Sequence, residues 1–460
     1  MSVSVFSKIT YYLLAIFVIS IPFSIPYFTP LLGVVLLGVW LSEGNFRARL
    51  QRIDTIPERI ITIVGIALLF FYAVGFFYAP DMKTSAIALV KKIWFLIAPL
   101  IFFTADTNYF TEKRVKQLFF LYICSAFCMI LVNLIISIFE YSATGSMMYF
   151  TYKWLSHFTH PSYCSMYSCT ALMLSFYFTF IAPINNKKYY YFLLFTLPLF
   201  FSFILMLQSR AGILSATAVV LALGVFVCRR WRGRIFYIIA FILALLFSQK
   251  FITGYVLCLG LITGVVYLQK NHVKARVFLV FLIVSLSSYA VFDLLIGSKF
   301  DRFERGIAWE EDDNSSIGQR MYLWESSVEM IKKKPVFGTG TGSARETLCE
   351  MHRQADNEMM LEKRKNAHNQ YLETMLDLGL MGLIPLLAFL FFPFYYACRY
   401  RSVVTLCFVI IVALNIGVES MFEYYIGSDF IAFFMAICCY FIFLMNPQKK
   451  QSHPSHVANQ

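Results

Sequence analysis

Charge is scarce in this sequence. Only 14% of its 460 residues are Asp, Glu, Lys or Arg, against about 25% in a soluble domain, which excludes a set of ordinary soluble domains. Alternation is missing as well. The long apolar runs show no period-two pattern over strands of about ten residues, which excludes a membrane β-barrel. The 11 cysteines include no CxxC pair and no Cys/His spacing suited to zinc, so they read as small core residues with no metal or disulfide framework. A small-residue cleavage site is absent after the first apolar stretch, Ile9 to Ile25, which runs straight into another. It reads as a retained first span.

What is present is apolar bulk. Hydrophobic residues make up 59% of the chain and aromatic residues 18%, with 49 Phe and 28 Tyr. Inside a bilayer every backbone polar group must be satisfied within its own segment, so such runs are helices. The expected fold class is an all-α polytopic membrane protein. Apolar segments fall at 9–25, 30–42, 60–78, 87–104, 118–139, 161–182 and 189–207. Others follow at 211–228, 235–248, 252–268, 277–296, 371–397, 403–418 and 429–446. A span needs about 20 residues. Segments 30–42 and 235–248 fall short of that, so 12 to 14 transmembrane helices are expected.

The few charges set an orientation. Twenty-one Lys and Arg residues fall on one face, in clusters such as Arg47 to Arg59, Lys113 to Lys116, Lys187–Lys188, Arg229 to Arg234 and Arg399–Arg401. The short loops of the other face carry four: Lys83, Lys153, Arg210 and Lys250. By the positive-inside rule the first face is cytoplasmic, with both termini on it. The net charge of +13 is then an orientation signal and not a nucleic-acid footprint. The basic run at 229–234 reads as a solvated turn beside anionic lipid.

Residues 297–370 form the one long polar stretch. The expected organisation is an N-terminal transmembrane bundle at 1–296, a large periplasmic loop at 297–370, C-terminal transmembrane helices at 371–446 and a cytoplasmic tail at 447–460. The loop is nearly neutral, with 12 Lys and Arg against 13 Asp and Glu. Asp312-Asp313-Asn314 reads as a solvated acidic turn, and no metal is assigned. Ser315 or Ser316 can cap a helix running to Lys334. Met321, Trp324, Val328 and Ile331 follow helical spacing and predict one apolar face, with Arg320 beside it, as for a lid over the membrane domain. Pro335 ends that helix. The glycine-rich run Pro335 to Ser343 is either a tight turn back to the membrane or a nest of amides for an anion. Its spacing is not that of a nucleotide-binding loop.

Four more positions stand out. Arg210 lies in Ser209-Arg210-Ala211-Gly212 between two apolar segments. It is a snorkelling anchor or a bidentate anion ligand. Lys91 and Lys92 interrupt an apolar run. They either snorkel at a helix end or face a polar cavity, where intramembrane charge is functional by default. His368 opens the 371–397 span, followed by Asn369 and Tyr371. It is a surface residue or a base, since imidazole takes up a proton near neutral pH.

The combination resembles the O-antigen ligase and polymerase superfamily. The residues that carry the resemblance are Ser209-Arg210, Arg320 with Trp324, Pro335 to Gly340, and His368-Asn369-x-Tyr371-Leu372-Glu373 through Gly379 and Gly382. They cover roughly the second half of the chain. The resemblance implies a GT-C-like glycosyltransferase of the bacterial inner membrane that needs no metal and no other cofactor. The implied donor is a glycan on undecaprenyl pyrophosphate and the implied acceptor a sugar of lipid A–core. By position, His368 would be the general base, Arg210 and Arg320 would hold the pyrophosphate, Lys91 and Lys92 would add to that site, and Asn369 and Tyr371 would support it. A ligase is the first expectation. A polymerase and a protein O-oligosaccharyltransferase differ from it in acceptor. A lipid-linked glycan flippase is the rival of another class, against which the lack of internal repeats argues.

Overall fold

A computed structural model describes residues 5–53, 55–227 and 316–445. The expected spans at 235–248, 252–268 and 277–296, the basic run 229–234, Asp312 to Asn314 and the tail 447–460 lie outside the described residues.

The described residues are helical. In chain order the helices are α1 (Val5–Ser20), α2 (Phe28–Ser42), α3 (Phe46–Leu50), α4 (Ile56–Phe76), α5 (Met82–Val90), α6 (Trp94–Phe103), α7 (Glu112–Thr144), α8 (Tyr152–Leu155) and α9 (Pro161–Phe176). Then come α10 (Lys187–Met206), α11 (Arg210–Val227), α12 (Ser316–Lys333), α13 (Ala344–Gln354), α14 (Glu358–Lys363), α15 (Gln370–Arg399), α16 (Val403–Val418) and α17 (Tyr425–Met445). Among the described residues, eight helical stretches are long and apolar enough to cross a membrane, and α2, α11 and α16 are shorter apolar helices. The chain is a polytopic all-α membrane protein.

Local chemistry starts these helices where the sequence provides caps. Thr55 accepts from Glu58 N–H at 3.4 Å while its own N–H donates to the Glu58 carboxylate at 3.3 Å, closing a capping box on α4. Asp81, Asn186 and Ser402 cap α5, α10 and α16. Gly145 ends the long α7 in the left-handed conformation.

The centre of the bundle is α17 and the span that contains α9, which are the two most enclosed. Lipid is as apolar as these helices, so they associate through packing and hydrogen bonds more than through the hydrophobic effect. Aromatic rings supply the packing. Phe430, Phe433 and Phe434 of α17 meet Tyr122, Tyr167, Phe408, Trp94 and Phe17, with ring centroids 4.6 to 6.2 Å apart.

Two breaks in the spans shape the site end. The first separates α5 from α6 at Lys91–Ile93. The second lies inside α15, where Gly379 has φ 60° and ψ −151°. The glycine-rich run fills that second break. Leu380 and Met381 N–H donate to the Pro335 and Val336 carbonyls at 2.9 and 3.2 Å. Thr339 and Gly340 N–H donate to the Leu376 and Asp377 carbonyls at 2.9 and 2.8 Å. A Cβ on Gly379 would lie 2.4 Å from Val336, and one on Gly338 would lie 2.6 Å from Asp377. The Asp377 carboxylate accepts from Gly342 and Ala344 N–H at 3.0 and 2.8 Å and so starts α13. Thr341 N–H donates to the Gly75 carbonyl of α4 at 3.1 Å. The amides from Gly338 to Ala344 are therefore spent on the protein, and the anion-nest alternative falls away for the glycines. The run is a splice that restores the bonds of a broken helix and seats α12 and α13 on the membrane bundle.

Helix α12 forms where the sequence places it, but its buried face is different. Met321 and Val328 are exposed, while Leu323, Ser326 and Ser327 are buried. The two small serines let the helix sit close, and the Ser327 hydroxyl returns to the Leu323 carbonyl at 2.6 Å. Leu323 joins a small core with Ala344, Leu348, Met360, Ala367 and Leu376, separate from the core of the bundle.

Candidate active site

The site is assembled at the start of α15. Asn369 caps that helix, accepting from Tyr371 and Leu372 N–H at 3.0 and 3.3 Å. His368, just before the cap, has φ 47°, a left-handed conformation uncommon outside glycine. Hydrogen bonds on both sides hold it there. The His368 N–H donates to Asn366 at 3.1 Å. Ala367 N–H and the Ser420 hydroxyl donate to the buried Glu373 carboxylate at 2.8 and 3.2 Å. Asn369 N–H donates to Ser420 at 3.2 Å, and Phe422 N–H donates to Gln370 at 2.7 Å. These bonds stitch residues 366–373 to the turn between α16 and α17.

That turn carries Glu419. Its Oε1 accepts from His368 Nδ1 at 2.8 Å, and its Oε2 lies 3.7 Å from the Arg320 guanidinium of α12. Burial works against a charge on Glu419. The hydrogen bond from His368, with the charges of His368, Arg320 and His160, outweighs it and holds the carboxyl below its ordinary range. A carboxylate that accepts from Nδ1 fixes the hydrogen there and leaves the Nε2 lone pair free in the neutral ring.

His368 and Glu419 line a cavity of about 530 Å³. Its wall includes Arg345, Lys363, Arg364 and Lys365. From the membrane side come His160, Tyr163 and Tyr424. Helix α12 closes over the same place: Trp324 Nε1 donates to the Ala367 carbonyl at 3.1 Å, and Lys365 Nζ donates to Gln319 at 2.7 Å. The arrangement joins an oriented imidazole to a wall of cations, which suits proton abstraction beside an anionic group.

The other residues singled out from sequence fall in different places. Arg320 approaches through Glu419. Arg210 opens α11 within electrostatic reach of Arg320, on a turn where Ser209 accepts from Gly212 N–H at 3.3 Å and from the Ser165 hydroxyl at 3.1 Å. Lys91 is not among the residues that line the cavity; its ammonium lies 6.0 Å from the ring centroid of Tyr424, which does. Lys92 differs from the expectation of a cavity ligand. It is fully buried, 3.5 Å from Glu423, over the Tyr72 ring, and it donates to the Phe422 carbonyl at 3.2 Å. It secures the α16–α17 turn from below. Asn369 is spent on its cap. The Tyr371 hydroxyl donates to the Ala413 carbonyl of α16 at 3.3 Å.

Residues 194–387 match the O-antigen ligase family model. Over that range the chain is similar to the O-antigen ligase and polymerase superfamily. The matched range contains Arg210, Arg320, the glycine splice and His368. A protein of Haemophilus influenzae Rd, described as uncharacterized, is 25% identical over 253 residues, which is 50% of this chain and 62% of the relative's own length.

Glu419, His160 and the basic wall were not singled out from the sequence. Glu419 carried one signal, a lone carboxylate at the lip of the apolar segment 403–418. Lys363-Arg364-Lys365, three cations shortly before His368, carried another.

Proposed function

We propose that this protein is an O-antigen ligase. It transfers a glycan from undecaprenyl pyrophosphate to a sugar of lipid A–core at the periplasmic face of the inner membrane. The His368–Glu419 hydrogen bond at the rim of a cation-walled cavity carries the reading. Nε2 of His368 takes the proton of the acceptor hydroxyl. The acceptor oxygen bonds to the anomeric carbon as the bond to the pyrophosphate oxygen breaks, and that electron pair leaves with the pyrophosphate. One displacement inverts the anomeric centre. Glu419 holds the ring in the productive tautomer and stabilises the imidazolium once it forms, the role of the acid in other histidine dyads.

Arg320 and Arg210 bind the pyrophosphate. A guanidinium has five N–H donors, so Arg320 can keep Glu419 and still reach a phosphate. Arg345, Lys363, Arg364, Lys365 and Lys91 add positive potential where the leaving charge develops. Pyrophosphate leaves readily, so the step needs no metal or nucleotide. The orientation is supported by the described loops at the other end, which carry Arg47, Arg49 and Arg52, Lys113 to Lys116, Lys187–Lys188 and Arg399–Arg401. The periplasmic placement of the cavity and the GT-C-like character belong to this proposal.

The test is transfer by purified protein in detergent with chelator present, given a defined donor and each acceptor in turn. Glycan on lipid A–core is expected. Elongation of lipid-linked repeats with lipid A–core left bare would overturn the ligase in favour of a polymerase. A protein that moves lipid-linked glycan across vesicles and transfers none in detergent would be the flippase.

A further inference from the structure

A second histidine stands in the same cavity with the opposite hydrogen placement. His160 is the N-cap of α9, and the Ser162 N–H donates to its Nδ1 at 3.3 Å. Pro161 between them has no N–H to give. A ring nitrogen that accepts carries no hydrogen, so the hydrogen of the neutral ring is on Nε2. In His368 the order is reversed, because Nδ1 donates to Glu419. One histidine offers the cavity a lone pair and the other an N–H.

One turn along α9 is Tyr163. It is 3% exposed and lines the same cavity, and its hydroxyl has no hydrogen-bond partner among the described residues. Buried hydroxyls are ordinarily partnered. A buried, unpartnered hydroxyl on a residue that lines a cavity is a donor left to spare for a ligand.

Resting on the proposed glycosyl transfer, we propose that His160 Nε2–H and the Tyr163 hydroxyl donate hydrogen bonds to phosphate oxygens of the donor's pyrophosphate. No proton changes hands at either group. Neutral donors suit this wall for an electrostatic reason. A further cation beside His368 would oppose the proton it has to accept, whereas an N–H and an O–H stabilise phosphate charge without adding a full positive charge. Burial pushes His160 below its ordinary range. The Glu419 charge opposes that push, while His368 and Arg320 add to it. The ring is therefore kept neutral.

The test separates the cap from the donor. In His160→Asn the short amide oxygen can still accept from Ser162 N–H but cannot reach where Nε2 pointed. In His160→Gln the longer amide reaches that point and loses the cap. Tyr163→Phe removes only the hydroxyl. Binding of undecaprenyl pyrophosphate is read by calorimetry, beside thermal stability and the KM values of a transfer assay. His160→Asn and Tyr163→Phe are expected to melt like wild type and to bind undecaprenyl pyrophosphate roughly tenfold more weakly, as for one lost hydrogen bond to a charged group. The donor KM rises and the acceptor KM does not. His160→Gln melts lower and binds better than His160→Asn. Wild-type binding by both His160→Asn and Tyr163→Phe, or a change confined to the acceptor KM, would overturn the proposal. A wild-type protein that binds undecaprenyl pyrophosphate through these groups but transfers no glycan would instead sink the ligase reading and leave this one standing.

Discussion

At the scale of single residues, the proposed chemistry rests on a histidine whose proton is placed by a carboxylate 51 positions away. The sequence marks His368 because it opens a span beside a polar loop. It cannot mark Glu419 in the same way, since nothing local says which turn will fold against residue 368. Lys92 shows the reverse case. A lysine in an apolar run looks like a ligand, yet here its charge is spent on Glu423, which only tertiary structure could supply. Glu419→Gln keeps an acceptor for Nδ1 but removes the charge that stabilises the imidazolium. It is expected to lower kcat roughly 10²-fold, within the range of about 10² to 10⁴ that a positioned base contributes, with donor KM changed less than kcat. Steady-state kinetics on both substrates checks this. The same residue predicts an acid effect. Its folded pKa lies below the unfolded value, so its stabilisation is present above the ordinary carboxylate range, near about pH 4.3. It is lost as pH falls through the depressed value. Melting temperature should therefore drop more steeply at acid pH in wild type than in Glu419→Gln. A parallel drop in the two proteins would contradict the ion-pair account.

At the scale of elements, hydrophobic length located the apolar helices among the described residues, because a run of apolar residues reports directly on the bilayer. Segment 403–418 was legible to the residue, and the lid helix α12 nearly so. Its buried face was not legible, because Ser326 and Ser327 pack by being small and not by being apolar. The role of the glycine run was also hidden. Gly338, Gly340 and Gly379 look like turn residues, and only their pairing across 40 positions shows a splice. Gly379→Ala is expected to destabilise by about 1–3 kcal/mol or more, the usual cost of forcing a side chain into such a backbone conformation, to which its clash with Val336 adds. Gly38→Ala in α2, where an added Cβ meets nothing within 4 Å, should melt like wild type. Thermal unfolding in detergent compares the two. Transfer should fall with Gly379→Ala as α12 loosens over His368.

At the scale of the whole molecule, charge asymmetry predicts which end of the bundle faces which compartment. The site end gathers the 334–369 segment and the α16–α17 turn, while the described basic clusters gather at the other. In a cysteine-free background, Asn185→Cys should resist a membrane-impermeant thiol reagent in intact cells and Glu358→Cys should react. The opposite pattern would invert the topology and remove a periplasmic site. The acceptor remains the least legible property, since ligases and polymerases share a donor headgroup and so share the residues that bind it. The most direct test of the central claim is the rate of glycan transfer from undecaprenyl pyrophosphate to lipid A–core by purified His368→Ala. A fall of at least about 10²-fold, with undecaprenyl pyrophosphate binding and melting temperature close to wild type, is the predicted result. Transfer near the wild-type rate would contradict His368 as the base.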